Sequence, residues 1–343
     1  MLIREALAQG TVDLKYAEIK TPNLDASLLL AHVLKINREK LITLGTDKIS
    51  AKNCAAFCEL IERRASGECV AYITGKKEFR GLEFEVNKSV LVPRPDTETL
   101  VEAALEILSD YFPAETLKAQ RTQREKEGAC DQKPQCNSCE PEVRHSVVKN
   151  FNLLDLCTGS GAVAIALKNE MPELEVHATD ISPDALETAK RNAKRLLPKK
   201  NIHFHLGDLY NALSPSPSAS FASPRELFSK QPTASLASSQ ELFSLIISNP
   251  PYIPSAEIKT LSPEVQNEPL LALDGGESGL DIIKKIIDYA PDYLKNGGVL
   301  LLEADPRQMP DIEILLAKRG FNSIKSYKDL SGSIRVIGGK FET

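Results

Sequence analysis

The chain has 343 residues with 42% hydrophobic content and a formal net charge of -5, enough apolar material to bury a large core in two domains. No apolar run approaches the ~20 residues of a membrane helix, and Arg4, Glu5 and Asp13 interrupt any signal-peptide core, so the expected location is cytoplasmic. With no Lys/Arg-dense run beyond Lys194-Arg195 and Lys199-Lys200, the acidic balance gives weak footing for a polyanion.

Residues 1 to 70 read as a small helical bundle. Thr21 is expected to cap a helix that starts at Pro22 and buries Leu24, Leu28, Leu29 and Val33. Ser50 is expected to cap another that carries Cys54, Phe57, Cys58 and Ile61 on its core face. Seven cysteines, an odd number, with Cys54 and Cys58 on that face, fit reduced thiols better than a disulfide framework. From 71 to 93 the pattern turns β-like, at Tyr72-Ile73 and Leu82 to Val86, with Gly75 and Gly81 as turns of a connecting hairpin. Leu91 to Glu98 then leads into a helix from Thr99 to Leu108, a candidate cleft wall whose polar residues are Arg94 and Glu98.

Residues 114 to 149 are polar and charge-mixed, and residues 214 to 240 are rich in Ser, Pro and Ala. Both are expected to be mobile insertions. In the second, ASFASPRELFS at 219 to 229 is echoed by ASLASSQELFS at 234 to 244, a local duplication that lengthens a surface loop. The first holds Cys130, Cys136, Cys139 and His145. A Cys-x-x-Cys pair with two more soft ligands suits tetrahedral zinc, but the spacing matches no familiar zinc module, so unpaired thiols are expected and no metal is assigned.

Between the insertions lies a strand, glycine loop and helix: Phe151 to Leu156, then Cys157-Thr158-Gly159-Ser160-Gly161, then a helix opening over Ala162 to Lys168. Such a loop lets backbone approach a ligand closely and aims a helix N-terminus at it. Gly159-x-Gly161-x-x-Ala164 also satisfies a dinucleotide fingerprint, and Asp180, closing the next strand over Glu175 to Thr179, stands where a ribose-binding acid is expected. NAD and S-adenosylmethionine both fit this unit. Only NAD would bring a pyrophosphate to the helix.

Ser182 and Pro183 open a further helix running through Ala193. Strands are expected at Asn201 to Leu206, Phe243 to Ser248 and Val299 to Glu303, with helices at Asp281 to Leu294 and Ile312 to Lys318. Two last runs, Phe321 to Tyr327 and Ser333 to Ile337, would pair antiparallel at the sheet edge. This is a doubly wound α/β domain from about Asn150 onward, and Asp208, ending its third strand, would face the cleft.

Asn249-Pro250-Pro251-Tyr252 follows the buried run Leu245-Ile246-Ile247. Two prolines fix φ and lack N–H donors, so the carbonyls of Asn249 and Pro250 are free to face a ligand. An amide nitrogen is a poor nucleophile because its lone pair is delocalised, and acceptors fixed around the NH2 group help more than a strong base. Asn249 and the Pro250 carbonyl can each accept one such hydrogen, and Tyr252 offers a flat apolar face. This segment favours S-adenosylmethionine over NAD.

These pieces together strongly resemble the peptide chain release factor glutamine methyltransferases over nearly the whole chain. The match is carried by the helical start, LVPRPDTETLVE at 91 to 102, DLCTGSGAVAIAL at 155 to 167, Asp180, GDLY at 207 to 210, IISNPPYI at 246 to 253 and EPLLALDGGESGLDIIKKII at 268 to 287. The resemblance implies a Rossmann-like class I methyltransferase domain over 94 to 343, with a seven-stranded, mostly parallel sheet, behind a helical domain that docks the release factor. It implies transfer of a methyl group from S-adenosyl-L-methionine to the glutamine of a Gly-Gly-Gln loop. Cys157, Thr158, Gly159, Ser160, Gly161, Asp180, Asp208, Leu209 and Asn249 would contact the cofactor. Asn249, Pro250, Pro251 and Tyr252, with Arg94 and Glu98, would hold the target. Cys157 and Ala304-Asp305 stand where the family usually has glycine, and an ordinary negative φ is expected at Cys157. Rival readings are a methyltransferase acting on the exocyclic amine of adenine in DNA or RNA, and a non-catalytic S-adenosylmethionine-binding scaffold. Net charge speaks against the first, and an acceptor aimed at an amine against the second.

Overall fold

The computed structural model describes residues 1–111, 151–213 and 242–342. Residues 114 to 149 with Cys130, Cys136, Cys139 and His145, and residues 214 to 240, lie outside the described residues.

The N-terminal part packs α1 (Ile3–Tyr16), α2 (Pro22–Leu34), the single turn α3 (Lys40–Thr43), α4 (Ala51–Ala65) and α5 (Val70–Thr74) around Leu14, Leu29, Leu30, Phe57 and Ile61. The Ser50 hydroxyl accepts the Asn53 N–H at 3.2 Å and caps α4 as expected. On α2 the expected face is rotated: Leu24 and Leu28 are exposed, while Asp25, Ala26, Leu29 and Leu30 are buried. The cause is ionic, because the Asp25 carboxylate turns inward to accept from Arg64 Nε at 2.7 Å. Thr21 donates its hydroxyl to Asp25 Oδ1 at 2.9 Å instead of capping the backbone. On α4, Cys58 is exposed, since the buried stripe runs through Phe57, Ile61 and Arg64.

Tyr72 and Ile73 are helical, belonging to α5 and not to a strand. Gly75, at φ 74°, ends that helix, and the hairpin forms just beyond it from β1 (Lys76–Phe79) and β2 (Leu82–Glu85), with Phe79 opposite Leu82. Its buried residues are Phe79 and Phe84, and Tyr72 instead donates its hydroxyl to the Val90 carbonyl at 2.6 Å.

After α6 (Glu98–Tyr111) the second part is a seven-stranded sheet in the order β5-β4-β3-β6-β7-β9-β8. The strands are β3 (Asn152–Leu156), β4 (Glu175–Asp180), β5 (His203–Leu206), β6 (Phe243–Ser248), β7 (Leu294–Glu303), β8 (Phe321–Lys328) and β9 (Ile334–Phe341). The first five run parallel, and β9 is antiparallel to both β7 and β8. Side chains alternate between faces: Leu153, Leu245 and Ile247 pack toward α6 and α7 (Ala162–Glu170), whereas Leu154, Ile246 and Leu300 pack toward the helices Asp281–Tyr293 and Met309–Lys318. From β3 the chain moves to β4 on one side and later returns to β6 on the other. That reversal is where open α/β sheets bind ligands. No described helix is long and apolar enough to cross a membrane.

Candidate active site

Leu156 of β3 is in register with Ser248 of β6, so the glycine loop and the Asn249 segment leave the sheet side by side. The Ser248 hydroxyl donates to the Leu156 carbonyl at 2.8 Å and ties the two strand ends together. Above them opens a cavity of about 350 Å³ bordered by the glycine loop, the ends of β4 and β5, the Asn249 segment, and residues 89 to 97 and 269 to 274.

The loop side is built by backbone. Thr158 N–H donates to the Thr179 carbonyl at 3.0 Å, and Gly161 N–H to the Thr158 carbonyl at 2.8 Å. Gly159 adopts φ +56°, with no atom of the described residues within 4 Å of the position a Cβ would take. Its main chain therefore faces open cavity. Gly161 serves packing: a Cβ there would meet Ile165 Cδ1 at 2.9 Å and Ala189 Cβ at 3.2 Å. Cys157 departs from the expected negative φ and adopts +60°. The chain leaving β3 must reverse there to bring Gly159 under Asp180, a left-handed bend that glycine makes without steric cost. Burial pushes the Cys157 thiol well above its usual range, which marks it as a wall rather than a nucleophile. Leu209, another cavity residue, is likewise left-handed at φ 48°.

Two carboxyl groups flank this loop. Asp180 accepts the Gly159 N–H at 2.8 Å on Oδ2 and the Ser182 N–H at 2.9 Å on Oδ1. The Ile181 N–H also bonds to this carboxylate, so of its roughly four lone-pair sites one remains for a further donor. Burial raises its pKa while these bonds oppose the rise. Asp155 lies beneath the loop, where Thr158 Oγ1 donates to it at 2.6 Å and the Ala164 N–H, in the first turn of α7, also bonds to it. Burial pushes Asp155 up to about 7. A carboxyl group thus occupies a helix N-terminus that a pyrophosphate would need.

The opposite wall is built by side chains distant in sequence. Asn249 Nδ2 donates to Thr97 Oγ1 at 3.1 Å, and Thr97 Oγ1 donates to Glu303 Oε1 at 3.2 Å. Thr97 ends the short turn Pro95–Thr97 and Glu303 ends β7. The Asn249 loop is pressed into place from behind by Asp274 to Gly279: Ile253 N–H donates to the Leu273 carbonyl and Gly275 N–H to the Ile253 carbonyl, each at 2.9 Å. A Cβ on Gly279 would fall 2.3 Å from the Tyr252 carbonyl oxygen, so only glycine permits this approach. Gln308 Nε2 donates to the same carbonyl at 2.9 Å.

Of the sequence candidates, Arg94, Cys157, Thr158, Gly159, Ser160, Asp180, Asp208, Leu209, Asn249 and Pro251 border the cavity, whereas Glu98, Gly161, Pro250 and Tyr252 are not among its lining residues. Pro250 is buried behind Asn249, and Tyr252 is half-buried against the core beside Glu303. Arg94 is paired with the buried Glu268, which also accepts the Val92 N–H at 3.3 Å. Sequence reasoning missed Thr97, Glu268 and Glu303. Glu303 ends an apolar strand as Asp180 does, and that shared position was its available signal.

Residues 5–75 match the PrmC N-terminal domain and residues 153–224 match a methyltransferase domain. Curated release factor glutamine methyltransferases resemble the chain end to end. That of Deinococcus radiodurans is 34% identical over 98% of this chain and 98% of its own. That of Koribacter versatilis is 34% identical over 100% of both, and that of Vibrio cholerae 34% over 99% of this chain and 97% of its own. The chain belongs to the release factor glutamine methyltransferase family. It is a methyltransferase, with a helical N-terminal region and the mostly parallel sheet that this family membership led the sequence to expect.

Proposed function

We propose that this methyltransferase transfers a methyl group from S-adenosylmethionine to the side-chain amide nitrogen of the glutamine in the Gly-Gly-Gln motif of peptide chain release factors. The observation that carries this reading is the Asn249 amide, held through Nδ2 by Thr97 at 3.1 Å so that Oδ1 is left as an acceptor at the cavity wall. The cofactor fits the opposite wall. Gly159 presents bare main chain to open cavity and Asp180 keeps an acceptor site for a ribose hydroxyl, with Asp208 and Leu209 on the same side. The Asp155 carboxyl at the start of α7 favours this cofactor over a dinucleotide phosphate.

When bound, S-adenosylmethionine supplies an electrophilic methyl group on a sulfonium. The protein's task is positioning. Asn249 Oδ1 at the cavity wall and the Pro250 carbonyl, between the lining residues Asn249 and Pro251, would each accept one hydrogen of the glutamine NH2, turning the nitrogen lone pair toward the methyl group. The proton in excess after transfer leaves without a dedicated base. The N-terminal bundle is the proposed docking platform for the release factor.

Mass spectrometry of a release factor incubated with enzyme and S-adenosylmethionine tests this reading. One methyl group on the Gly-Gly-Gln glutamine is expected. Methylation of adenine in DNA or RNA, with none on the release factor, would overturn it.

A further inference from the structure

Glu303 is 2% exposed, and its Oε2 atom has no hydrogen-bond partner among the described residues. Such an atom is costly to bury and calls for an explanation. Its other oxygen, Oε1, which remains an acceptor when the carboxyl proton sits on Oε2, receives the only proton Thr97 can give, at 3.2 Å. A hydroxyl has one proton and two lone pairs, so Thr97, having spent its proton on Glu303, can meet Asn249 only as an acceptor. That selects the Nδ2 end of the Asn249 amide, which donates to Thr97 at 3.1 Å. Asn249 also lies close enough to Glu303 to favour its charged form. The two ends of an amide differ by donor and acceptor character alone, and packing does not distinguish them. Without this relay, Asn249 could present either Oδ1 or NH2 to the cavity.

We infer that Glu303 and Thr97 are positioning residues that fix the Asn249 amide with its oxygen toward the methyl acceptor. Glu303 does not border the cavity and acts only through Thr97 and Asn249. The relay joins positions 97, 249 and 303, brought together where α6 begins and β6 and β7 end. The reversed amide would place two hydrogens against the hydrogens of the substrate NH2, a repulsive contact in place of an accepted bond. This inference rests on the proposed methylation of a side-chain amide.

Steady-state kinetics on a glutamine-containing release factor, with calorimetry of S-adenosylmethionine binding, tests the relay in four variants. Thr97→Val keeps the shape and removes the hydroxyl, and it is expected to lower kcat by ~10-fold or more while KM and cofactor affinity stay within about twofold. Thr97→Ser keeps the hydroxyl and is expected to recover most of the rate. Glu303→Leu, which frees the Thr97 proton to turn toward Asn249, should match Thr97→Val. The double variant should be no slower than either single one, as for groups acting as a unit.

A Thr97→Val enzyme with kcat within twofold of the parent overturns the relay. So do equal losses in Thr97→Ser and Thr97→Val, which would place the effect in the methyl group, and losses that multiply in the double variant. Failure of the parent enzyme itself to methylate glutamine would refute the proposed function instead. The two outcomes are distinguishable.

Discussion

The two walls of the cavity are made by different means. Around Cys157 to Gly161 five consecutive residues do the work with main-chain groups, tied to the neighbouring strand through the Thr158 to Thr179 bond and the Asp180 carboxylate. Around Asn249 the work falls to side chains from three separate stretches, Thr97, Asn249 and Glu303. A backbone wall tolerates substitution wherever the new residue can follow the bend. A side-chain relay fails when one atom is removed.

The sharpest test of that contrast is Asn249→Ala. It removes an acceptor and is expected to cut kcat by ~10²-fold or more, as losing one preorganised transition-state contact does, while calorimetry finds S-adenosylmethionine bound nearly as before. Near-normal turnover would erase the distinction between the walls. Next comes Asp180→Ala, expected to weaken cofactor binding by ~1.5–3 kcal/mol, the range for hydrogen bonds to a charged group. It should change kcat at saturating cofactor far less. Tight NAD binding without S-adenosylmethionine binding would return the glycine loop to a dehydrogenase role.

A third expectation concerns pH. Burial pushes Glu303 up to about 8, with Asp96 adding to the rise and Arg335, Thr97 and Asn249 opposing it; the Tyr252 hydroxyl lies near the same carboxyl group. In the unfolded chain this group titrates near its ordinary value of ~4.3. Between those values the folded protein holds the proton that the unfolded chain has released, so this group's contribution to stability falls as pH rises from about 4 through 8, then levels off. Glu303→Gln should flatten that decline in the thermal midpoint, leaving the smaller one from Asp155, which burial lifts to about 7. An unchanged slope would show that Glu303 is ionised throughout. The smallest effect belongs to the tolerant wall: Cys157→Gly relieves a side chain at φ +60° and should raise stability by ~0.5–1 kcal/mol in denaturant titrations. A loss of stability would mean that the thiol's packing outweighs its strained backbone.

What could be read from the sequence follows the same division. The order of strands and helices was legible because buried parallel strands are continuous apolar runs, and because the glycine loop and Asn-Pro-Pro-Tyr are short contiguous signatures. Thr97 and Glu303 were not legible as partners, since their meaning depends on a short turn and a strand end 206 residues apart in sequence lying beside each other. Glu98 drew attention for its charge, yet the neighbouring Thr97 is the residue that turns into the cavity. Tyr72 and Ile73 looked like strand residues by their apolar pairing, but Gly75 closes a helix just after them. The inward face of α2 was misread because Asp25 is drawn inside by a cation 39 residues away. Cys157 was misread because only the chain's reversal demands a left-handed residue there.

Arg64 links the two parts of the molecule. It is 2% exposed, with Asp25 of the bundle at 2.7 Å on one side and Glu264, next to the cavity-edge residues Pro269 to Asp274, on the other. Swinging the bundle outward would break the contact with the half-exposed Glu264 carboxylate while Asp25 and the Glu68 carbonyl stay with Arg64. Bundle and cavity edge are therefore joined there by one ion pair to a half-exposed carboxylate, a latch between the two parts and not a weld.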